Sequence, residues 1–211
     1  MWSRSLVRDS SCTLQGFGAG VRVIAGSAKG HRLSVPRGRG TRPTSDRVRE
    51  ALFASLGERV EGAVVLDLFA GTGALGIEAL SRGAARAVLV ERDPRAAAAI
   101  VRNLERTGLA ASAWLVRMDA VRFCRAPHEA FDLVLVDPPY AEPSAALHAL
   151  LGDLQAAGGL APGAIVVLER DRRAHGPQAP PLPPGLASRR VATYGDTVLH
   201  YLDAHAEDER R

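Results

Sequence analysis

The stretch Asp67-Leu68-Phe69-Ala70-Gly71-Thr72-Gly73-Ala74-Leu75-Gly76 decides the fold. It closes a short apolar run that begins at Val64 and opens a helical pattern over 74–82 that Gly83 stops. Glycines at 71, 73 and 76 permit a tight turn and let the backbone approach a ligand without interference from a Cβ atom. A buried strand, a glycine loop and a helix, in that order, make the first half of a βαβ unit. The glycine spacing alone also fits dinucleotide enzymes and, less well, a purely structural strand-to-helix turn.

Outward from this unit the alternation repeats. Apolar runs at 64–68, 86–91, 113–118, 131–136 and 164–169 predict strands, and their near-continuous apolar character suits a parallel sheet covered on both faces. Helices are expected over 74–82, 94–107 and 144–157, the last two ending at Gly108 and at Gly158-Gly159. A stiff proline-rich connection over 177–185 leads to a hairpin of 189–194 and 197–201 around Gly195-Asp196. Five parallel strands plus an antiparallel pair give an α/β, Rossmann-like seven-stranded sheet, as in class I S-adenosylmethionine-dependent methyltransferases. Upstream, 22–25 and 31–35 flank Gly26-Ser27-Ala28-Lys29-Gly30 and predict a small N-terminal β-hairpin extension. A helix capped by Thr44, Ser45 or Asp46 should then run to Leu56, with Val48, Leu52, Phe53 and Leu56 on its apolar side.

At 211 residues the chain suffices for one domain with a real core. Residues 1–20 show no periodicity and are expected to be a disordered tail or a misassigned start, because the chain turns strand-like at Val21. The expected division is then 21–60 as a basic hairpin and helix facing RNA, 61–204 as the catalytic domain, and 205–211 as a tail. No apolar run approaches the roughly 18 residues of a membrane span. Cys12 and Cys124 lie far apart without metal-ligand spacing, so neither a disulfide framework nor a metal site is expected, and a reducing cytoplasm is the simplest compartment.

The net charge of +4 is unevenly placed, with eight Lys or Arg and only Asp46 as an acid between residues 21 and 49. Such a segment reads as a phosphate-facing surface or as a solvated arm. Lys29, Arg32, Arg37, Arg39, Arg42 and Arg47 are the candidate RNA contacts.

The acids at the strand ends speak to the cofactor. Glu91, closing the second strand, can accept hydrogen bonds from ribose hydroxyls in either cofactor class. Asp119, just beyond the third, can receive an adenine amino group or cap a helix. Asp67 separates the classes, since a carboxylate beneath the glycine loop repels a pyrophosphate but can approach the cationic methionine portion of S-adenosylmethionine.

A second motif, Asp137-Pro138-Pro139-Tyr140, ends the run at 131–136. Prolines lack an N–H and leave their carbonyls available, so the Asp137 carboxylate and the Pro138 carbonyl can each accept one N–H of a bound amino group. Tyr140 offers a ring on which a base can stack. The pair of motifs points to methyl transfer onto an amine. A nucleobase paired in a duplex hides that amine, so the substrate is expected to be single-stranded or flipped, as in the loop of a structured RNA.

These residues resemble one family closely, the bacterial 16S ribosomal RNA guanine-N2 methyltransferases of the RsmD type, over about 21–202. The resemblance rests on Arg22-Val23-Ile24-Ala25-Gly26, on Thr41-Arg42-Pro43-Thr44-Ser45-Asp46-Arg47-Val48-Arg49-Glu50, on residues 67–76 with Glu78-Ala79-Leu80-Ser81-Arg82-Gly83, and on residues 137–140. It implies transfer of a methyl group from S-adenosylmethionine to N2 of a guanine in small-subunit rRNA, the loop nucleotide usually numbered 966. It also implies an assembling or assembled small ribosomal subunit as partner, with monomer as the default state. By the same resemblance Asp137, Pro138 and Tyr140 hold the guanine, while Asp67, Phe69, Gly71, Gly73, Glu91 and Asp119 surround the cofactor. The N-terminal tail and the proline-rich stretch depart from the family pattern. The competing readings are a DNA adenine-N6 methyltransferase, a non-catalytic RNA-binding assembly factor, and a dinucleotide oxidoreductase, which leaves residues 137–140 unexplained.

Overall fold

A computed structural model of the protein describes residues 21–36, 46–126, 129–139 and 141–205. The candidate residues Arg37, Arg39, Arg42 and Tyr140, the expected tails apart from His205, and the caps Thr44 and Ser45 lie outside the described residues.

The first strand, β1 (Val64–Leu68), leads through the glycine loop into α2 (Ala74–Ser81), which follows α1 (Asp46–Leu56) in the chain. The alternation continues with β2 (Arg86–Val90), α3 (Pro94–Thr107), β3 (Ala113–Val116), α4 (Ala120–Cys124), β4 (Phe131–Val136) and α5 (Ser144–Ala156). It closes with β5 (Leu160–Asp171), α6 (Arg172–His175), β6 (Leu186–Tyr194) and β7 (Thr197–Ala204). The seven strands form one sheet in the order β3-β2-β1-β4-β5-β7-β6. The first five are parallel neighbours, whereas β7 runs antiparallel to both β5 and β6. Order reverses between β1 and β4, so a crevice opens at their carboxyl ends, where open α/β sheets bind ligands.

The strands bury both faces. Val65, Leu133, Leu135 and Val167 point to one core with α2 and α3, while Leu66, Val134, Val136 and Leu168 point to the other with α4 and α5. Residues 21–33 and α1 share the first core through Val21, Val23, Leu33, Leu52 and Phe53. Every α2 residue from Leu75 to Ser81 is buried, because the sheet covers one side of that helix and the N-terminal segment the other.

Several expectations need correction. The N-terminal hairpin is reduced to a single antiparallel bridge between Arg22 and Arg32, and its Ile24, Ala25, Ala28 and Ser34 donors go to side chains of α2 and α3. Strand β5 is twelve residues long and starts before Pro162 and Gly163, which mask it in the sequence. Its register shifts opposite the Phe131/Leu133 step of β4, and that bulge absorbs the irregular residues. The hairpin strands β6 and β7 are also longer than expected, at nine and eight residues. Helices α4 and α6, of five and four residues, are too short to show a 3.6-residue period.

Candidate functional site

The register of the central strands builds the site. Leu68 pairs with Val136, so the residues that follow them, Phe69 and Asp137, emerge side by side at the carboxyl edge of the sheet. The Asp137 amide points to the Leu68 carbonyl at 3.5 Å. The two motifs, seventy residues apart in the chain, thus face one crevice.

The glycine loop is held open by carboxylates. Glu91 accepts the Gly71 N–H on one oxygen and the Asp93 N–H on the other, each at 2.8 Å. Phe69 has φ +61°, the one non-glycine residue among those described with a left-handed backbone, and it marks the point where the strand breaks into the loop. Gly73 has φ +76°, which favours glycine, and a Cβ there would sit 3.0 Å from a Leu89 methyl, so that side chain would have to shift.

Asp67 lies beneath the loop, 1% exposed, and accepts the Gly76 N–H at 2.8 Å. Burial pushes its carboxyl up from 3.8 to about 8; the Gly76 hydrogen bond opposes that shift, and the charges of Asp137 and Glu91 add to it. Asp67 is therefore protonated at neutral pH before any cation arrives, which refines the expectation of a standing carboxylate.

The shift fixes a pH dependence. Between pH 3.8 and about 8 the folded protein keeps a proton that the unfolded chain has released, so stability falls as pH rises through that window. The range corresponds to a loss on the order of 5 kcal/mol. Asp67→Asn keeps an oxygen for Gly76 and removes the charge. Urea denaturation should show the variant more stable than the parent at pH 9, with the difference vanishing below pH 4; a parent whose stability is flat from pH 4 to 9 would contradict this. The same variant should bind S-adenosylhomocysteine at least tenfold more weakly by calorimetry, because a neutral amide cannot pair with its ammonium group.

Asp119 caps α4, accepting from the Val121 and Arg122 amides at 3.1 and 3.4 Å, and takes a bond from Arg92 at 3.2 Å. A carboxylate has about four acceptor positions. Asp119 thus retains capacity for one further donor and Glu91 for two, which suits an adenine amino group and a pair of ribose hydroxyls. This set of acceptors fits an adenosine cofactor.

On the substrate side, a shallow depression is lined by Asp137, Pro138 and Pro139 together with Glu169, Arg170, Asp171 and His175 from the end of β5 and from α6. Arg170 was not a candidate from sequence. It is 4% exposed, and its two terminal nitrogens have no hydrogen-bond partner among the described residues. Of the candidate RNA contacts that are described, Lys29, Arg32 and Arg47 are all exposed.

Sequence reasoning also missed the polar residues that fasten the N-terminal segment. Glu78 is fully buried and accepts the Ile24 and Ala25 N–H groups at 2.7 and 3.0 Å and Arg82 at 2.7 Å. Ser81 Oγ accepts from the Ala28 N–H and donates to the Ala25 carbonyl. Arg49 is buried beside Asp46 and donates to the Arg22 carbonyl. A Glu and a Ser three positions apart on an otherwise apolar helix were the available signal.

With this geometry in place, comparison with known proteins is informative. The family described as "Conserved hypothetical protein 95" matches residues 21–203. The chain belongs to that family. Ribosomal RNA small subunit methyltransferase D of Escherichia coli is 40% identical over 151 residues, 72% of this chain and 75% of its own length. The structure of the Escherichia coli protein yhhF superposes with a TM-score of 0.79 at 34% identity, covering 89% of this chain and 99% of that one. An RNA methyltransferase of Salinibacter ruber, solved with S-adenosyl-L-homocysteine, shares the fold with a TM-score of 0.60 at 22% identity over 80% of this chain and 97% of its own.

Proposed function

We infer that the protein is an S-adenosylmethionine-dependent RNA methyltransferase that modifies the exocyclic N2 amine of a guanine in 16S rRNA of the small ribosomal subunit. The observation that carries this reading is the Leu68–Val136 register, which sets the glycine loop and the Asp137-Pro138-Pro139 corner against each other in one crevice. The family membership and the small-subunit rRNA methyltransferase at 40% identity support the substrate class. On this reading the reaction takes place in the cytoplasm on an assembling or assembled subunit, and the enzyme works as a monomer.

Bound S-adenosylmethionine supplies a methyl group on a sulfonium centre. Asp67, Phe69, Gly71, Gly73, Glu91 and Asp119 hold it at the ends of β1, β2 and β3. Asp137 and the Pro138 carbonyl each accept one N–H of the guanine amine, which turns the nitrogen lone pair toward the cofactor side of the crevice. As the nitrogen gains positive charge the same two acceptors stabilise it, and Asp137 can accept the proton that the methylated amine releases. Tyr140 supplies the stacking face. Lys29, Arg32, Arg37, Arg39, Arg42 and Arg47 neutralise surrounding phosphates, so binding should weaken steeply with salt.

The test is to incubate small subunits lacking the modification with labelled S-adenosylmethionine, then to analyse nucleosides and map the site. N2-methylguanine in the expected loop is the predicted product. N6-methyladenine in DNA with no transfer to subunits would replace this reading with the adenine-N6 alternative, and subunit binding without transfer would favour an assembly factor.

A further inference from the structure

We propose that Asn103 is a positioning residue that joins the N-terminal loop to the glycine loop, so that occupation of the cofactor site is felt at the RNA-facing loop. Its RNA half rests on the methyltransferase reading above; its cofactor half does not.

Asn103 lies on α3 and has no exposed surface. Its side-chain oxygen accepts the Ser34 N–H at 2.6 Å, and its nitrogen donates to the Ser34 carbonyl at 3.1 Å and to the Thr72 carbonyl at 2.9 Å. Both N–H bonds of the amide and its oxygen are thus committed. Thr72 stands between Gly71 and Gly73, whereas Ser34 lies two residues beyond Arg32, whose carbonyl Arg106 holds from the next turn of α3 at 3.1 Å.

Packing alone does not call for this arrangement. An apolar residue would fill the space, but only an amide can hold both edges of Ser34 and still reach the glycine loop. The loop bonds of the N-terminal segment, Val23 N–H to the His31 carbonyl and Leu33 N–H to the Val21 carbonyl, then belong to the same network as Thr72. A ligand that restrains Thr72 restrains Ser34, and the ordering cost already met on one side lowers the cost on the other. Coupling of this kind is reciprocal, so RNA should tighten cofactor binding by the same factor.

The first experiment is amide hydrogen exchange on the full chain with and without S-adenosylhomocysteine. Exchange should slow at Ser34, Leu33 and Val23 in the parent protein, whereas in Asn103→Ala the slowing should stay within the glycine loop. Unchanged exchange at Ser34 in the parent, or equal slowing in N103A, would overturn the proposal. Should N103A not fold, the parent comparison decides alone.

The second experiment measures affinity for unmodified small subunits with and without S-adenosylhomocysteine. The parent should bind about fivefold or more tightly with it. Asn103→Asp, which keeps an acceptor for Ser34 but no donor for Thr72, should lose that factor; retention of the factor in N103D would overturn the coupling. Slowed exchange at Ser34 in a protein that never methylates subunits would instead retire the rRNA reading and leave the Asn103 link standing.

Discussion

Asp137→Ala should lower the turnover of methyl transfer to small subunits by about 100- to 1,000-fold while leaving affinity for S-adenosylhomocysteine nearly unchanged. The size follows from removing one of two acceptors aimed at a charge that appears only in the transition state. Affinity is spared because Asp137 closes β4, while the glycine loop hangs from β1 and from Glu91. Asp137 also raises the Asp67 carboxyl, so its removal eases ionisation of Asp67 and should, if anything, favour a cationic ligand. Single-turnover transfer from labelled donor, beside calorimetric binding, separates the two quantities. Asp137→Asn should fall between parent and alanine, since one oxygen remains but an N–H₂ now competes for the same edge of the base. Parent-level turnover in D137A would remove Asp137 from the mechanism. A loss confined to affinity would move it into the cofactor site.

The parts of this arrangement that the sequence made readable are those whose signal is local. Strand β1, the loop at Gly71 and Gly73, and α3 with its stop at Gly108 each carry their own punctuation, and Gly108 does end α3 with φ +72°. Asp119 was readable only as two alternatives, because an acid after a strand serves a cap and a ligand equally; the structure shows the cap. Residues 160–163 escaped because Pro162 and Gly163 suppress the strand pattern, although pairing of Leu160 with Phe131 still extends β5. Glu78 showed only as a carboxylate on an apolar helix, with nothing to say what it holds, and Asn103 gave no signal. Their partners in the N-terminal segment are backbone groups 54 and 69 residues away, at Ile24 and Ser34, and a backbone group leaves no residue type to notice. The same cause explains why the N-terminal hairpin is so short: Gly26 and Gly30 do mark a turn and the arms pair at Arg22 and Arg32, but the Ala25 and Ala28 donors go to α2.

Gly26→Ala should destabilise the protein by about 4 kcal/mol or more, an exceptional loss for one methyl group. Gly26 has φ +83°, and a Cβ built on it would lie 1.7 Å from the Ser81 carbonyl oxygen, 2.2 Å from its carbon and 2.8 Å from the Arg82 nitrogen. All three atoms are backbone at the end of α2, a helix buried on every side, so they cannot step back. The loop must lift instead. Lifting it breaks the Ile24 and Ala25 bonds to Glu78, the Ala28 bond to Ser81 Oγ and the Ser27 bond to the Ser81 carbonyl, and leaves the buried Glu78 carboxylate bonded to Arg82 at 2.7 Å. Each hydrogen bond lost from a buried carboxylate costs about 1.5–3 kcal/mol. Gly30→Ala is the matched control, because Gly30 has φ +86° but no atom within 4 Å of a built Cβ. That variant bears only the left-handed penalty of about 1–2 kcal/mol. Urea denaturation of both variants therefore isolates the contact from the backbone angle, and a G26A protein as stable as G30A would mean that the N-terminal loop does not rest on α2.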